Sequence, residues 1–233
     1  RIRIPLSTAV TGEDRPITFS TFVACKDCHG SGNAEGSSMV TCGECSGNGF
    51  VTKIANSLFG RVQQSVVCPQ CHGLGRVPKT PCKHCSGKGR VEGKKTITVH
   101  IPAGIEDGQS LKVRGEGEAG QHSAPAGDLY VEILIEKDRQ FERQDADIYS
   151  MIKVPLFTAV LGGTMEIPTV HGTTELLIPA GLQPKQMLRI KGKGMPIVNS
   201  SRTGDHFVTI EVEIPTKLSK EERKLFEELQ KLK

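Results

Sequence analysis

Tryptophan is absent from this chain of 233 residues, tyrosine occurs twice, and aromatic side chains make up only 4% of it. That scarcity argues against a base-stacking surface for single-stranded nucleic acid, because only Phe50 and Phe59 are aromatic between Cys25 and Gly89. No apolar run approaches the roughly 18 residues of a membrane span. The opening, RIRIPLSTAV, lacks the hydrophobic block of a secretory signal. It also lacks an initiating methionine and reads as an excerpt from a longer protein. Catalytic groupings are missing too. Carboxylates are dispersed, no Ser/His/Asp set sits on an elbow, and RGEGEAG (Arg114 to Gly120) follows a strand pattern without opening an apolar helix, so it is a turn and not a phosphate loop. Beyond Cys85 there is no cysteine at all.

Before that point cysteine is used in one way only. CKDCHGSG (Cys25 to Gly32) returns as CGECSGNG (Cys42 to Gly49), CPQCHGLG (Cys68 to Gly75) and CKHCSGKG (Cys82 to Gly89). Disulfide frameworks do not normally repeat in identical glycine-tagged pairs. A redox dithiol needs one pair at a helix N-terminus, which these glycines would break. Metal accounts for the whole pattern: four thiolates close a tetrahedral zinc site, so eight cysteines make two structural sites with no open position. The glycines let the chain turn back at positive φ and aim backbone N–H groups at the sulfurs. His29, His72 and His84 lie beside the cysteines but are not needed as ligands. The formal charge of +4 then loses its weight as a nucleic-acid or lipid signal. Eight thiolates subtract eight charges and two divalent ions restore four, which leaves zero.

The rest of the chain is duplicated. IPAGIEDGQSLKVRGEG (Ile101 to Gly117) aligns with IPAGLQPKQMLRIKGKG (Ile178 to Gly194), and GDLYVEILIE (Gly127 to Glu136) with GDHFVTIEVE (Gly204 to Glu213), both at an offset of 77. IRIPLSTAVTG (Ile2 to Gly12) aligns with IKVPLFTAVLG (Ile152 to Gly162) at an offset of 150. The surplus of 73 residues in the first copy is the cysteine region. An insertion leaves and re-enters its host, so pairing the first cysteine pair with the fourth (Cys25, Cys28, Cys82, Cys85) clamps its base. Cys42, Cys45, Cys68 and Cys71 then form an outer site. Sequential pairing would close shorter loops but leave the two ends untied.

Outside the insertion, short alternating strands dominate: ITFSTF (Ile17 to Phe22), KTITVHI (Lys95 to Ile101), SLKVRG, MLRIKG and the GD-initiated segments. STAVTG and FTAVLGG suit helical turns ending at glycine. The tail predicts a helix with Ser219 as N-cap, Glu222 three residues later, and Leu225, Leu229 and Leu232 on one stripe. The fold class is therefore mainly β. Two tandem homologous small β-sandwich domains are expected, the first (1–23 and 96–138) carrying the two-zinc module (24–95). The second spans 139–215, and the C-terminal helix (216–233) follows it.

Four CxxCxGxG motifs inserted in the first of two tandem β domains resemble the type I DnaJ co-chaperones, most closely the bacterial and organellar kind. The resemblance covers nearly the whole chain. It implies the same nested zinc pairing. It also implies a non-enzymatic co-chaperone whose first β domain binds unfolded client polypeptides in an apolar groove, by strand addition, and delivers them to a DnaK-type chaperone. By strand position that groove falls near Ile2, Ile17, Phe19, Ile97 and Val131. In the second domain Ile167 and Thr169 stand where Ile17 and Phe19 stand in the first, so the first is the expected main site. The family's J-domain, with its His-Pro-Asp tripeptide, and its Gly/Phe-rich linker are not in these 233 residues, so the chain is expected to hold clients without stimulating ATP hydrolysis. The resemblance also makes the C-terminal helix (216–233) the start of a dimerisation region, so a homodimer is expected of the full-length protein, and no membrane or nucleic-acid partner. The expected setting is a reducing compartment: cytoplasm, mitochondrial matrix or plastid stroma. The alternatives are a thiol–disulfide oxidoreductase using one CxxC pair and a single-strand nucleic-acid module.

Overall fold

A computed structural model describes residues 1–57 and 60–232; Phe59 lies outside the described residues. In chain order its elements are β1 (Ile2–Ile4), α1 (Leu6–Thr11), β2 (Glu13–Ala24), β3 (Met39–Thr41), β4 (Phe50–Ser57), β5 (Gly60–Val67), β6 (Arg76–Pro78), β7 (Arg90–Ile101), β8 (Ser110–Val113) and β9 (Leu129–Ile135). Then come β10 (Phe141–Gln144), β11 (Asp147–Pro155), α2 (Leu156–Leu161), β12 (Gly163–Thr169), β13 (Gly172–Ile178), β14 (Met187–Ile190), β15 (His206–Glu213) and α3 (Lys220–Lys231). The fold is mainly β, as the alternating patterns require.

The duplication is visible in hydrogen-bond register. β1 pairs with β9 in parallel, Ile2 opposite Ile133, and β11 pairs with β15 in parallel, Ile152 opposite Ile210. Both members of the second pairing are the aligned counterparts of the first. The sheet orders correspond: β1-β9-β8 in the first copy and β10-β11-β15-β14 in the second, each accompanied by a two-stranded ladder, β2-β7 or β12-β13. In the second copy Ile152 and Val154, Ile167, Leu176 and Ile178, and Val208 and Ile210 meet in one buried cluster between its sheet and its ladder. Strand alternation puts them there, because every second residue faces inward.

α1 and α2 occupy equivalent places, each six residues long and each stopped by a glycine whose N–H returns to a threonine carbonyl: Gly12 to Thr8 and Gly162 to Thr158. At α3 both bonds of the capping box form. Ser219 Oγ accepts from the Glu222 N–H at 3.2 Å, and Glu222 Oε2 accepts from the Ser219 N–H at 2.7 Å. Leu225 and Leu229 remain exposed on that helix, as does Leu232 at its C-cap.

By contact the chain divides into two compact units. One comprises Arg1–Arg15, His100–Leu111 and Glu132–Lys233; the other comprises Pro16–Val99 and Lys112–Val131. The second unit contains the cysteine arm, built on the β2-β7 ladder and extended by the small antiparallel pairs β3-β6 and β4-β5. β7 begins at Arg90, so the ladder runs on past the boundary that repeat alignment suggests near residue 96. No helix among the described residues is long and apolar enough to cross a membrane.

Candidate metal centres

Each CxxCxGxG stretch folds into the same knuckle. The residue after the second cysteine and both glycines take positive φ in all four: His29, Gly30 and Gly32; Ser46, Gly47 and Gly49; His72, Gly73 and Gly75; Ser86, Gly87 and Gly89. The second glycine then donates its N–H to the sulfur four residues back. Gly32 bonds Cys28 Sγ at 3.3 Å, Gly49 bonds Cys45 at 3.2 Å, Gly75 bonds Cys71 at 3.3 Å and Gly89 bonds Cys85 at 3.2 Å.

Knuckles meet in twos, and reciprocal backbone bonds choose the partners. Cys25 N–H donates to Gly89 O and Cys82 N–H to Gly32 O, both at 2.9 Å. Cys42 N–H donates to Gly75 O and Cys68 N–H to Gly49 O, again at 2.9 Å. The approach is too close for any side chain: a Cβ on Gly89 would fall 2.1 Å from Gly30 O, and one on Gly75 would fall 2.2 Å from Gly47 O.

The structure thus brings Cys25, Cys28, Cys82 and Cys85 together in an inner cluster and Cys42, Cys45, Cys68 and Cys71 in an outer one, with the sulfurs of each within 4.8 Å of one another. All eight are buried and none is in a disulfide. Sulfur–sulfur distances are 4.0 and 3.7 Å in the inner cluster and 3.9 and 3.5 Å in the outer. A tetrahedral ion with metal–sulfur bonds of about 2.3 Å has edges of about 3.8 Å, whereas a disulfide needs about 2.05 Å. The donor set and its spacing fit a divalent metal.

Electrostatics point the same way. Burial raises the thiols of Cys25 and Cys85, the latter to about 12, and that of Cys68 to about 11. Burial also acts on Cys28 and Cys71, but the N–H groups of Gly32 and Gly75, together with the neighbouring cysteines, outweigh it and bring each down to about 7. One thiol in each cluster therefore ionises readily while burial holds back Cys25 and Cys85 in the inner cluster and Cys68 in the outer. Four thiolates in so dry a place require a cation among them.

Of the histidines, His84 puts Nδ1 3.3 Å from Cys25 Sγ, while His29 and His72 are exposed at the knuckle turns. The residues proposed to line a groove are distributed as follows. Ile17 and Phe19 on β2 and Ile97 on β7 are half-buried, Val131 on β9 is buried at 3% exposure, and half-buried Ile2 on β1 belongs to the other compact unit. Sequence reasoning missed the loop 118–127, which reaches the inner knuckles: Ser123 N–H donates to Gly30 O at 2.8 Å. The available signal was the repeat alignment, which sets His122 and Ser123 opposite Asn199 and Ser200.

A family model for the DnaJ C terminal domain matches residues 1–215. The chain is 40% identical over 224 residues to a chaperone protein DnaJ of Gloeobacter violaceus, covering 96% of this chain and 58% of that protein. It is 39% identical over 232 residues to one from a Chelativorans species (99% and 61%) and 38% identical over 232 residues to one from Acholeplasma laidlawii (100% and 63%). The chain therefore spans about three fifths of the length of these curated relatives.

Proposed function

The chain belongs to the DnaJ C-terminal domain family, and on that premise we propose that it is the client-binding part of a co-chaperone, stapled by two structural zinc ions. In this reading Cys25, Cys28, Cys82 and Cys85 hold one ion and Cys42, Cys45, Cys68 and Cys71 the other. Zinc supplies a four-way cross-link that keeps the knuckles closed, and the backbone N–H groups of the flanking glycines stabilise the sulfur charge.

The observation that carries the client-binding reading is the half-burial of Ile17, Phe19 and Ile97 on the β2-β7 ladder. Among the described residues β2 pairs with β7 alone, so one of its edges is open. An extended segment adding there gains main-chain hydrogen bonds, and the apolar side chains set its preference. Unfolded polypeptides present both features; folded ones hide them. Delivery to a DnaK-type chaperone, and a homodimer built through the exposed leucine stripe of α3, complete the proposed role of the longer protein.

The test is photo-crosslinking to a permanently unfolded client, such as reduced and carboxymethylated α-lactalbumin, from p-benzoylphenylalanine placed at Phe19, at Ile97 and at exposed Leu177 of the second copy. Adducts at the first two and few at the third are expected. Crosslinks confined to a probe near Phe50, far along the arm, would overturn the assignment.

A further inference from the structure

The two four-sulfur clusters share their internal geometry and differ in what surrounds them. Over the inner cluster lies the loop 118–127. Ser123 N–H donates to Gly30 O at 2.8 Å, His122 Nδ1 is 3.4 Å from Ser31 O, and a Cβ on Gly89 would come within 3.1 Å of His122 N. His122 and Ser123 adopt φ of 49° and 60° in succession, a region non-glycine residues seldom occupy, so the loop keeps this contact against a conformational cost. Its near end is fastened as well. Ala119 N–H donates to Phe22 O at 2.8 Å, and Arg90 Nη1 donates to Ala119 O at 3.0 Å, with the guanidinium 4.5 Å over the Phe22 ring.

Among the described residues the outer cluster has no such cover. A Cβ on Gly73 would meet only the Val67 side chain and one on Gly47 only the Thr41 methyl, while Phe50, Val67 and Leu74 stand exposed. The polar neighbours differ also. Beside Cys25 the nearest is the His84 imidazole, with Asp27 adjoining. Beside Cys68 stands the Glu44 carboxylate, 3.8 Å from the sulfur, and beside Cys42 the Gln70 amide at 3.2 Å. Four thiolates around a divalent ion carry net negative charge, which a carboxylate at that distance opposes.

Resting on the zinc reading, we infer that loop 118–127, locked by Arg90, is a clamp on the inner cluster, so that this cluster yields its ion far more slowly than the outer one. Exchange requires the knuckles to open locally and admit a competing ligand. The clamp must be undone before the inner pair opens; among the described residues nothing comparable restrains the outer pair. The loop has a precedent within the chain. Its counterpart in the second copy also takes positive φ, at Asn199, and closes on Gly104, where a Cβ would fall 2.2 Å from Pro196 O. Docking is thus a property of the repeat, turned in the first copy toward the arm.

The experiment is release of zinc from the fully loaded chain into excess 4-(2-pyridylazo)resorcinol, followed by absorbance. Two phases of one equivalent each are expected. Ser123→Pro, which removes the donor and cannot take positive φ, speeds the slow phase roughly tenfold or more. Arg90→Gln, which leaves the knuckle backbone untouched, speeds the same phase by a smaller factor. Glu44→Gln slows the fast phase alone. Release of both equivalents in one phase, a slow phase indifferent to both clamp variants, or an effect of Glu44→Gln on the slow phase overturns the inference. Fewer than two ions bound at the start would instead sink the zinc reading.

Discussion

At aligned positions the two β copies treat the same side chains differently. Ile167 on β12 is fully buried and Thr169 nearly so, the latter closing a tight hairpin by donating its hydroxyl to Gly172 O at 2.7 Å. Their counterparts Ile17 and Phe19 on β2 are only half-buried, and their ladder, instead of turning at once, runs on into the cysteine arm. One copy spends its apolar residues on a closed core; the other leaves part of them in reach of solvent. Opening a hairpin to insert an arm therefore did more than lengthen the chain. It carries the ladder past the point where the second copy turns, with Ile17 and Phe19 only partly covered.

The harshest way to break this contrast is to remove metal. Chelation under reducing conditions should abolish ordered structure over residues 24–95 while the second copy keeps its protection, as read by hydrogen exchange. Structural zinc contributes about 10–16 kcal/mol of apparent folding free energy in small domains, and the second copy has no cysteine. Equal loss of protection in both would refute the division of labour.

A finer test substitutes matched positions. Ile167→Ala should destabilise its domain by about 2–5 kcal/mol, as deletion from a packed core does. Ile17→Ala should cost under about 1 kcal/mol and yet weaken binding of an unfolded client severalfold. Urea unfolding and a fluorescence titration give the two readings, and the contrast fails if Ile17→Ala proves the more destabilising change.

The smallest effect concerns His206, buried where the first copy has Leu129. Its Nε2 is 2.8 Å from Ser150 Oγ, its Nδ1 has no partner among the described residues, and Phe141 meets its ring edge-on. Burial lowers its pKa below 6.5. The unfolded chain then binds the extra proton first, so the second copy is at full stability above about pH 6.5 and loses stability as pH falls toward the folded value. His206→Leu should flatten that dependence in hydrogen exchange of the β11 and β15 segments, and an unchanged slope would show that His206 is not its source.

Much of this was legible in the residues. The two four-cysteine clusters were readable because an insertion must leave and re-enter its host, which sets the first cysteine pair against the fourth, and the gapless alignments revealed the duplication because strand register is inherited with sequence. The box at Ser219 and Glu222 was readable because it is local. What escaped was long-range and carried by backbone. The loop at His122 and Ser123 binds through a main-chain N–H, which leaves no side-chain signature. β10 (FERQ) has Phe141 as its single apolar residue and so shows no alternation. β3 and β6, of three residues each, are too short to show a period.

The concentric wiring of the arm also sets an order of manufacture. The outer sulfurs span 26 residues between facing partners and the inner ones 57, and the outer set lies wholly inside the inner. On a ribosome the tip's four cysteines are all available once Cys71 has emerged, before the last pair exists. The arm can therefore crystallise from its far end backward, and the base is sealed only when the final knuckle arrives to meet the first.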